Sequence, residues 1–203
     1  MNKSGIVLLT STGLSSQNVY DKFKEVADSK GFKKAVIITT ASKDKENNQY
    51  SQLALSQLKS IGLSVVDFYD FENNGAKDLS GYDVIYVCGG NTFKLMKFAR
   101  EMNFDREIDS LLKREGAYIG VSAGSLIVGP SIKIANEVHP DPNEVGLTDF
   151  TGFNIVNLIV YPHYSSEIEE EIKSFETKND VRVERIDNSQ AILLKGEEKL
   201  LIS

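Results

Sequence analysis

The segment best equipped for covalent chemistry is Gly120-Val121-Ser122-Ala123-Gly124, a G-x-S-x-G run that follows the apolar, β-branched stretch Ala117–Val121 and precedes the small segment Ser125–Val128. A nucleophilic serine in such a run sits on a sharp strand-to-helix turn that lifts its Oγ out of the sheet. That turn needs tiny neighbours, and Gly120, Ala123, Gly124 and Ser125 supply them. The backbone N–H of Ala123, at the start of the helix, would face an oxyanion developing on an attacked carbonyl. The chemistry indicated is acyl transfer. The same residues also read as a plain strand-to-helix junction capped by Ser122.

A nucleophilic serine needs a base, and the chain holds two histidines, His139 and His163. His163, in Tyr161-Pro162-His163-Tyr164, follows the apolar run Phe153–Val160 near the carboxyl end of an expected strand and is the favoured general base; a structural histidine held among tyrosines is the other reading. His139 stands between Glu137-Val138 and Pro140-Asp141-Pro142 and reads as a surface-loop residue. A third group must orient the imidazole. Glu137, in the irregular segment after the elbow, and Asp187, after the expected strand Val181–Ile186, are the candidates, and with 29 acidic residues composition does not choose between them. Gly89-Gly90-Asn91 ends the strand-like Val84–Cys88 and offers a second oxyanion donor, the N–H of Gly90. Cys88 reads as a buried strand residue rather than a nucleophile. The loop Thr10-Ser11-Thr12-Gly13 is placed to border a ligand pocket at the same sheet edge, but it lacks the Gly-rich dinucleotide fingerprint.

The elements that must position these groups alternate. Ile6–Leu9 and Ala35–Thr39 read as buried strands, with Val19, Phe23, Val26 and Ala27 at helical spacing between them. A helix over Gln49–Ile61, a strand over Ser64–Phe68, the strand Val84–Cys88, helices from Thr92 and over Asp105–Arg114, and the strand Ala117–Val121 continue the pattern. Strands separated by helices imply an α/β fold: a doubly wound, mostly parallel sheet with helices on both faces. The C-terminal part differs. An acidic helix, Glu167–Glu176, precedes the short strands Val181–Ile186, Ala191–Lys195 and Lys199–Ile202, which are expected to form a small edge or hairpin extension. Pro130–Gly152 has little periodicity and reads as a long functional loop.

Composition narrows the function classes. With 203 residues, 41% hydrophobic and 26% charged, the chain has the make-up of one folded domain spanning 1–203. A net charge of -6 argues against nucleic acid as a partner, since phosphate binding needs clustered lysine and arginine. No apolar run approaches the roughly 18 residues of a membrane-spanning helix. The start, Met1–Ile6, lacks a secretory apolar region, and one cysteine permits no internal disulfide; a cytoplasmic setting is expected. No Cys/His spacing matches a metal site, and no cofactor is indicated.

Taken together, Val87-Cys88-Gly89-Gly90-Asn91-Thr92, Gly120-Val121-Ser122-Ala123-Gly124-Ser125 and Pro162-His163-Tyr164 resemble the dipeptidase E family of serine peptidases, whose wider relatives include cyanophycinase. The resemblance covers most of the chain. It implies a fold like the class I glutamine amidotransferase domain, with serine where those relatives carry cysteine. It also implies hydrolysis of small peptides through an acyl-enzyme, without metal or cofactor, in a monomer or small homo-oligomer. By position, Ser122 matches the nucleophile, His163 the base, and the N–H groups of Gly90 and Ala123 the oxyanion donors. Glu137 falls where the family has an aspartate, one methylene shorter, and Asp187 matches another family carboxylate proposed for the same role. No arginine follows His163 until Arg182, so the family's preference for an N-terminal aspartate does not carry over. An esterase using the same Ser122 elbow and a non-catalytic protein binding a peptide or metabolite are the competing readings.

Overall fold

Five strands, β1 (Ile6–Thr10), β2 (Lys34–Ile38), β3 (Val65–Tyr69), β4 (Val84–Val87) and β5 (Ala117–Val121), run parallel in the computed structural model of the protein, which describes residues 4–75 and 77–203. Two antiparallel strands, β8 (Ala191–Lys195) and β9 (Glu198–Ile202), extend the sheet beyond β1, giving the order β3-β2-β4-β5-β1-β8-β9. The expectation for the chain's start rests partly on Met1–Lys3, which lie outside the described residues.

Alternation along each strand explains the two layers of helices. Ile6 and Leu8 of β1, with Ala35 and Ile37 of β2, pack against Val19 and Phe23 of α1 (Gln17–Lys30) and Ala54 and Leu58 of α2 (Gln49–Ile61). The intervening Val7, Leu9, Val36 and Ile38 face the other way, onto α3 (Thr92–Glu101), α4 (Phe104–Lys113) and α5 (Ala123–Leu126). Every residue of β1 is buried, as a strand sandwiched between helices requires. Because β1 and β5 are neighbours whose following helices go to opposite faces, a crevice opens beyond their carboxyl ends, where parallel α/β sheets place ligands.

The C-terminal strands only partly follow the sequence expectation. β8 and β9 do form the expected hairpin at the sheet edge. The third strand, β7 (Val183–Arg185), leaves it: it pairs in parallel with β6 (Ile159–Tyr161) in a separate two-stranded sheet. The reason is burial. Val160, Val183 and Ile186 belong to the core under α7 (Glu169–Asn179), so β6 and β7 are held by that helix rather than by the main sheet. Within the loop expected over 130–152, a short helix, α6 (Ile134–Glu137), buries Ile134 and Ala135.

Candidate active site

The turn after β5 is strained at one residue. Ser122 has φ 50° and ψ −110°, a conformation that costs an L-residue on the order of 1–3 kcal/mol and persists only where its surroundings enforce it. Here the surroundings are backbone and buried hydroxyls. The Ser122 N–H donates to the Thr10 carbonyl at 2.9 Å, and the Ser122 carbonyl accepts from the Ser125 N–H at 2.8 Å. Ser125 Oγ lies 2.8 Å from the Gly120 carbonyl and accepts the Thr10 N–H at 2.9 Å, while the Tyr118 hydroxyl donates to the Gly124 carbonyl at 2.6 Å. A Cβ on Gly120 would stand 2.6 Å from the Gly124 carbonyl oxygen, so the turn closes this tightly only around glycine. Ser122 does not cap α5 with its side chain; its Oγ has no hydrogen-bond partner among the described residues.

A second turn abuts the first. Gly90, at φ 136°, lies so close to the 41–42 segment that an added Cβ would stand 2.1 Å from the Ala41 carbonyl oxygen. A Cβ on Gly89 would stand 3.0 Å from that of Ser122. Neither the Gly90 N–H nor the Ala123 N–H has a partner among the described residues, which leaves two backbone donors beside the serine. Asn91 caps α3 by accepting the Lys94 N–H at 2.8 Å, and Asp141 accepts the Thr92 N–H at 2.9 Å.

The imidazole arrives from β6. His163, at φ 58°, donates its N–H to Ser11 Oγ at 2.9 Å, and Ser11 Oγ donates onward to the Ile186 carbonyl at 3.0 Å. The ring's partner is Asn188: Nδ1 lies 2.7 Å from Asn188 Oδ1. An amide oxygen can only accept, so Nδ1 carries the proton and Nε2 is left as the basic nitrogen. Thr12 Oγ1 holds the Asn188 carbonyl at 2.8 Å, which confirms the loop after β1 as a wall of the site.

Ser122, Gly90 and His163 line two cavities that meet at the serine, one of about 510 Å³ beside α2 and one of about 310 Å³ beside α6. Neither expected carboxylate joins them. Glu137 points away: Lys178 Nζ at 3.0 Å, Asn179 Nδ2 at 3.5 Å and Lys133 Nζ at 3.4 Å surround its carboxylate. Asp187 turns its carboxylate onto its own turn, accepting from the Ser189 N–H at 2.8 Å and Ser189 Oγ at 2.7 Å. The residue that does meet the imidazole is the next one in the chain. Sequence reasoning missed Asn188 because an amide in a turn carries no charge and no catalytic motif.

Other expectations are settled by burial. Cys88 is 5% exposed, and burial pushes its thiol up to about 11, which suits a core residue and not a nucleophile. Arg185 is engaged by Glu176 at 2.7 Å and Glu169 at 3.1 Å, and neither it nor Arg182 reaches the cavities. His139 lines the smaller cavity at φ 46°, with Glu171 at 3.9 Å. Among the described residues there is no group of three or more His, Cys, Asp or Glu side chains that could hold a metal, and no helix is long and apolar enough to cross a membrane.

Comparison with known proteins points to one group. The family model for peptidase family S51 matches residues 7–202. An uncharacterized peptidase of Pasteurella multocida is 31% identical over 92% of this chain and 93% of its own, and one of Listeria innocua is 30% identical over 91% of each. Peptidase E of Escherichia coli is 29% identical over 69% of this chain, which corresponds to 59% of that protein. The crystal structure of a candidate peptidase E from Listeria monocytogenes superposes with a TM-score of 0.75 at 27% identity, covering 97% of both chains.

Proposed function

The chain belongs to peptidase family S51 and is a peptidase, and from that premise we propose that it hydrolyses small peptides through an acyl-enzyme formed on Ser122. One observation carries this reading: Ser122 is held in a strained turn with its Oγ unbonded among the described residues, in cavities whose walls it shares with His163 and Gly90, and the unpartnered backbone N–H of Ala123 follows it in the chain.

Ser122 Oγ attacks the scissile carbonyl carbon as its proton passes to His163 Nε2. The carbonyl oxygen becomes an oxyanion facing the N–H groups of Gly90 and Ala123. Collapse of the tetrahedral adduct breaks the C–N bond, and the imidazolium returns its proton to the leaving amine. A water molecule then attacks the Ser122 ester, giving its proton to Nε2, and Ser122 is regenerated when its alkoxide takes that proton back. Asn188 keeps Nδ1 protonated and the ring in place, the role an asparagine has in papain-like cysteine peptidases. Being neutral, it orients the imidazolium without an ion pair.

A fluorophosphonate probe with peptide mass spectrometry tests this. The expected result is one adduct, on Ser122, absent from Ser122→Ala and lost in His163→Ala. A folded protein that takes no adduct on Ser122 overturns the reading and leaves a site that binds peptides without cleaving them.

A further inference from the structure

The two cavities that meet at Ser122 carry opposite charge. Among the described residues, the only lysine, arginine, aspartate or glutamate on the wall of the larger is Lys43, and it has no carboxylate partner. Two hydroxyls stand in the same wall without partners. Ser42 is 6% exposed and its Oγ makes no hydrogen bond; Tyr86 is 4% exposed and its hydroxyl makes none. Buried hydroxyls without partners are uncommon, because each forfeits a hydrogen bond it would have made in water. Ser42 Oγ is such a group, and with the Tyr86 hydroxyl and the exposed Lys43 in the same wall it makes a donor set awaiting an acceptor. The smaller cavity has no lysine or arginine, and its acid is Asp141, whose Oδ2 accepts the Thr92 N–H while Oδ1 has no partner.

The donor set is also held in place. Thr40 Oγ1 donates to Asp70 at 2.9 Å, and Lys45 bridges Asp70 at 3.1 Å and Glu72 at 2.8 Å, which fastens the loop on both sides of Ser42 and Lys43. The Ala41 carbonyl accepts the Asn91 N–H at 3.0 Å, tying that loop to the Gly89-Gly90 turn. Ser42 is therefore packed directly against the Gly89-Gly90 turn, and it lines the same cavity as Ser122.

We propose that Ser122 lies between two end-reading subsites, so that the substrate is a short zwitterionic peptide: its α-ammonium group pairs with Asp141 in the smaller cavity, and a carboxylate of the leaving residue is bound by Lys43, Ser42 and Tyr86 in the larger. The carboxylate is the chain end or an acidic side chain, which offer the same chemistry. The acyl half then lies beside α6 and the leaving half beside α2. This rests on Ser122 being the nucleophile, and it fixes what the cavities select.

The test uses the whole protein and panels of dipeptides of the forms Ala-X and X-Ala, each free, N-acetylated and C-amidated. Two rates are read, cleavage and protection of Ser122 from the fluorophosphonate probe. Absence of labelling defeats the nucleophile reading itself; labelling with no discrimination among the three forms defeats only the end-reading subsites. The expected result is that free dipeptides are preferred at least about tenfold over either capped form. The free-to-amide preference should collapse towards one in Lys43→Met and fall in Ser42→Ala. Ser42→Ala should keep its thermal midpoint, because the hydroxyl it removes bonds to nothing in the protein. The free-to-acetyl preference should collapse in Asp141→Asn, which retains an acceptor for the Thr92 N–H. Restoration of an amidated dipeptide by X = Glu supports the subsite with a side-chain carboxylate as its ligand. Equal preference in the variants and the parent overturns the assignment.

Discussion

The two halves of the site are built in different ways. Ser122 stands where three parallel strands converge, and its turn is fastened from beneath by the hydroxyls of Ser125 and Tyr118 and the carbonyl of Thr10, all buried. His163 follows a three-residue strand of the small sheet, and its ring is steadied by an exposed amide 25 residues further along. In the first half, geometry and stability share the same hydrogen bonds. In the second, geometry rests on a few polar contacts that contribute little to the fold, because exposed groups exchange one partner for water at small net cost. Changes in the two halves should therefore separate catalytic rate from stability.

The largest loss is expected at the reacting atom. Ser122→Ala should lower kcat/KM by a factor on the order of 10⁴ or more, with an unchanged melting temperature because the Oγ bonds to nothing. Next comes Asn188→Ala, with a loss on the order of 10² and again no change in melting. Asn188→Asp sharpens the comparison. A carboxylate on Nδ1 would stabilise the imidazolium, so a higher pH would be needed to free Nε2, and the acidic limb of the pH–rate profile should move up by about one unit. A profile that stays put would mean Asn188 does not face the catalytic ring. Ser125→Ala should give the reverse pattern, a modest change in rate with stability lower by about 1–3 kcal/mol, because the buried Thr10 N–H loses its acceptor. For a chain of this length that is a fall in melting temperature of roughly 2–4 °C per kcal/mol.

The same division explains what could be read from the amino acids. The elbow half is local: strand, glycines, serine and helix are consecutive, and the strands that hold it announce themselves as apolar runs bounded by small residues. The parallel sheet, the order of its helices and the closeness of Gly90 to Ser122 follow from those runs. The imidazole half is not local. β6 and β7 are three residues each and pair across α7, a separation that periodicity cannot bridge. The orienting contact falls one residue beyond Asp187, where Asx and Ser turns look alike whether or not a ring is hydrogen-bonded to them. Charge was a misleading guide for that reason. Both carboxylates favoured by type are bound to cations or to their own backbone, and the uncharged neighbour makes the contact.

Glu137 occupies the position that, by resemblance, matches the family's acid. Burial alone would raise its pKa. Hydrogen bonds from Lys178 and Asn179, with the charge of Lys133, outweigh burial and hold the carboxyl below the ordinary glutamate range. A depressed folded-state pKa stabilises the protein above the unfolded value, about 4.3, and the contribution is lost as pH falls through the folded value. Glu137→Gln should therefore lower stability at neutral pH by about 1 kcal/mol or less, the range of a partly exposed ion pair, and the difference from the parent should begin to shrink as the pH falls below about 4.3 and vanish once the carboxyl is protonated in the folded protein. Its effect on kcat/KM should be the smallest of the set, within about twofold, because no contact links this carboxylate to His163. A loss comparable with that of Asn188→Ala, confined to the acidic limb of the pH profile, would instead place the carboxylate within reach of the ring during turnover. The imidazole half would then be a mobile assembly that closes on substrate, and the contrast with the rigid elbow would be greater still.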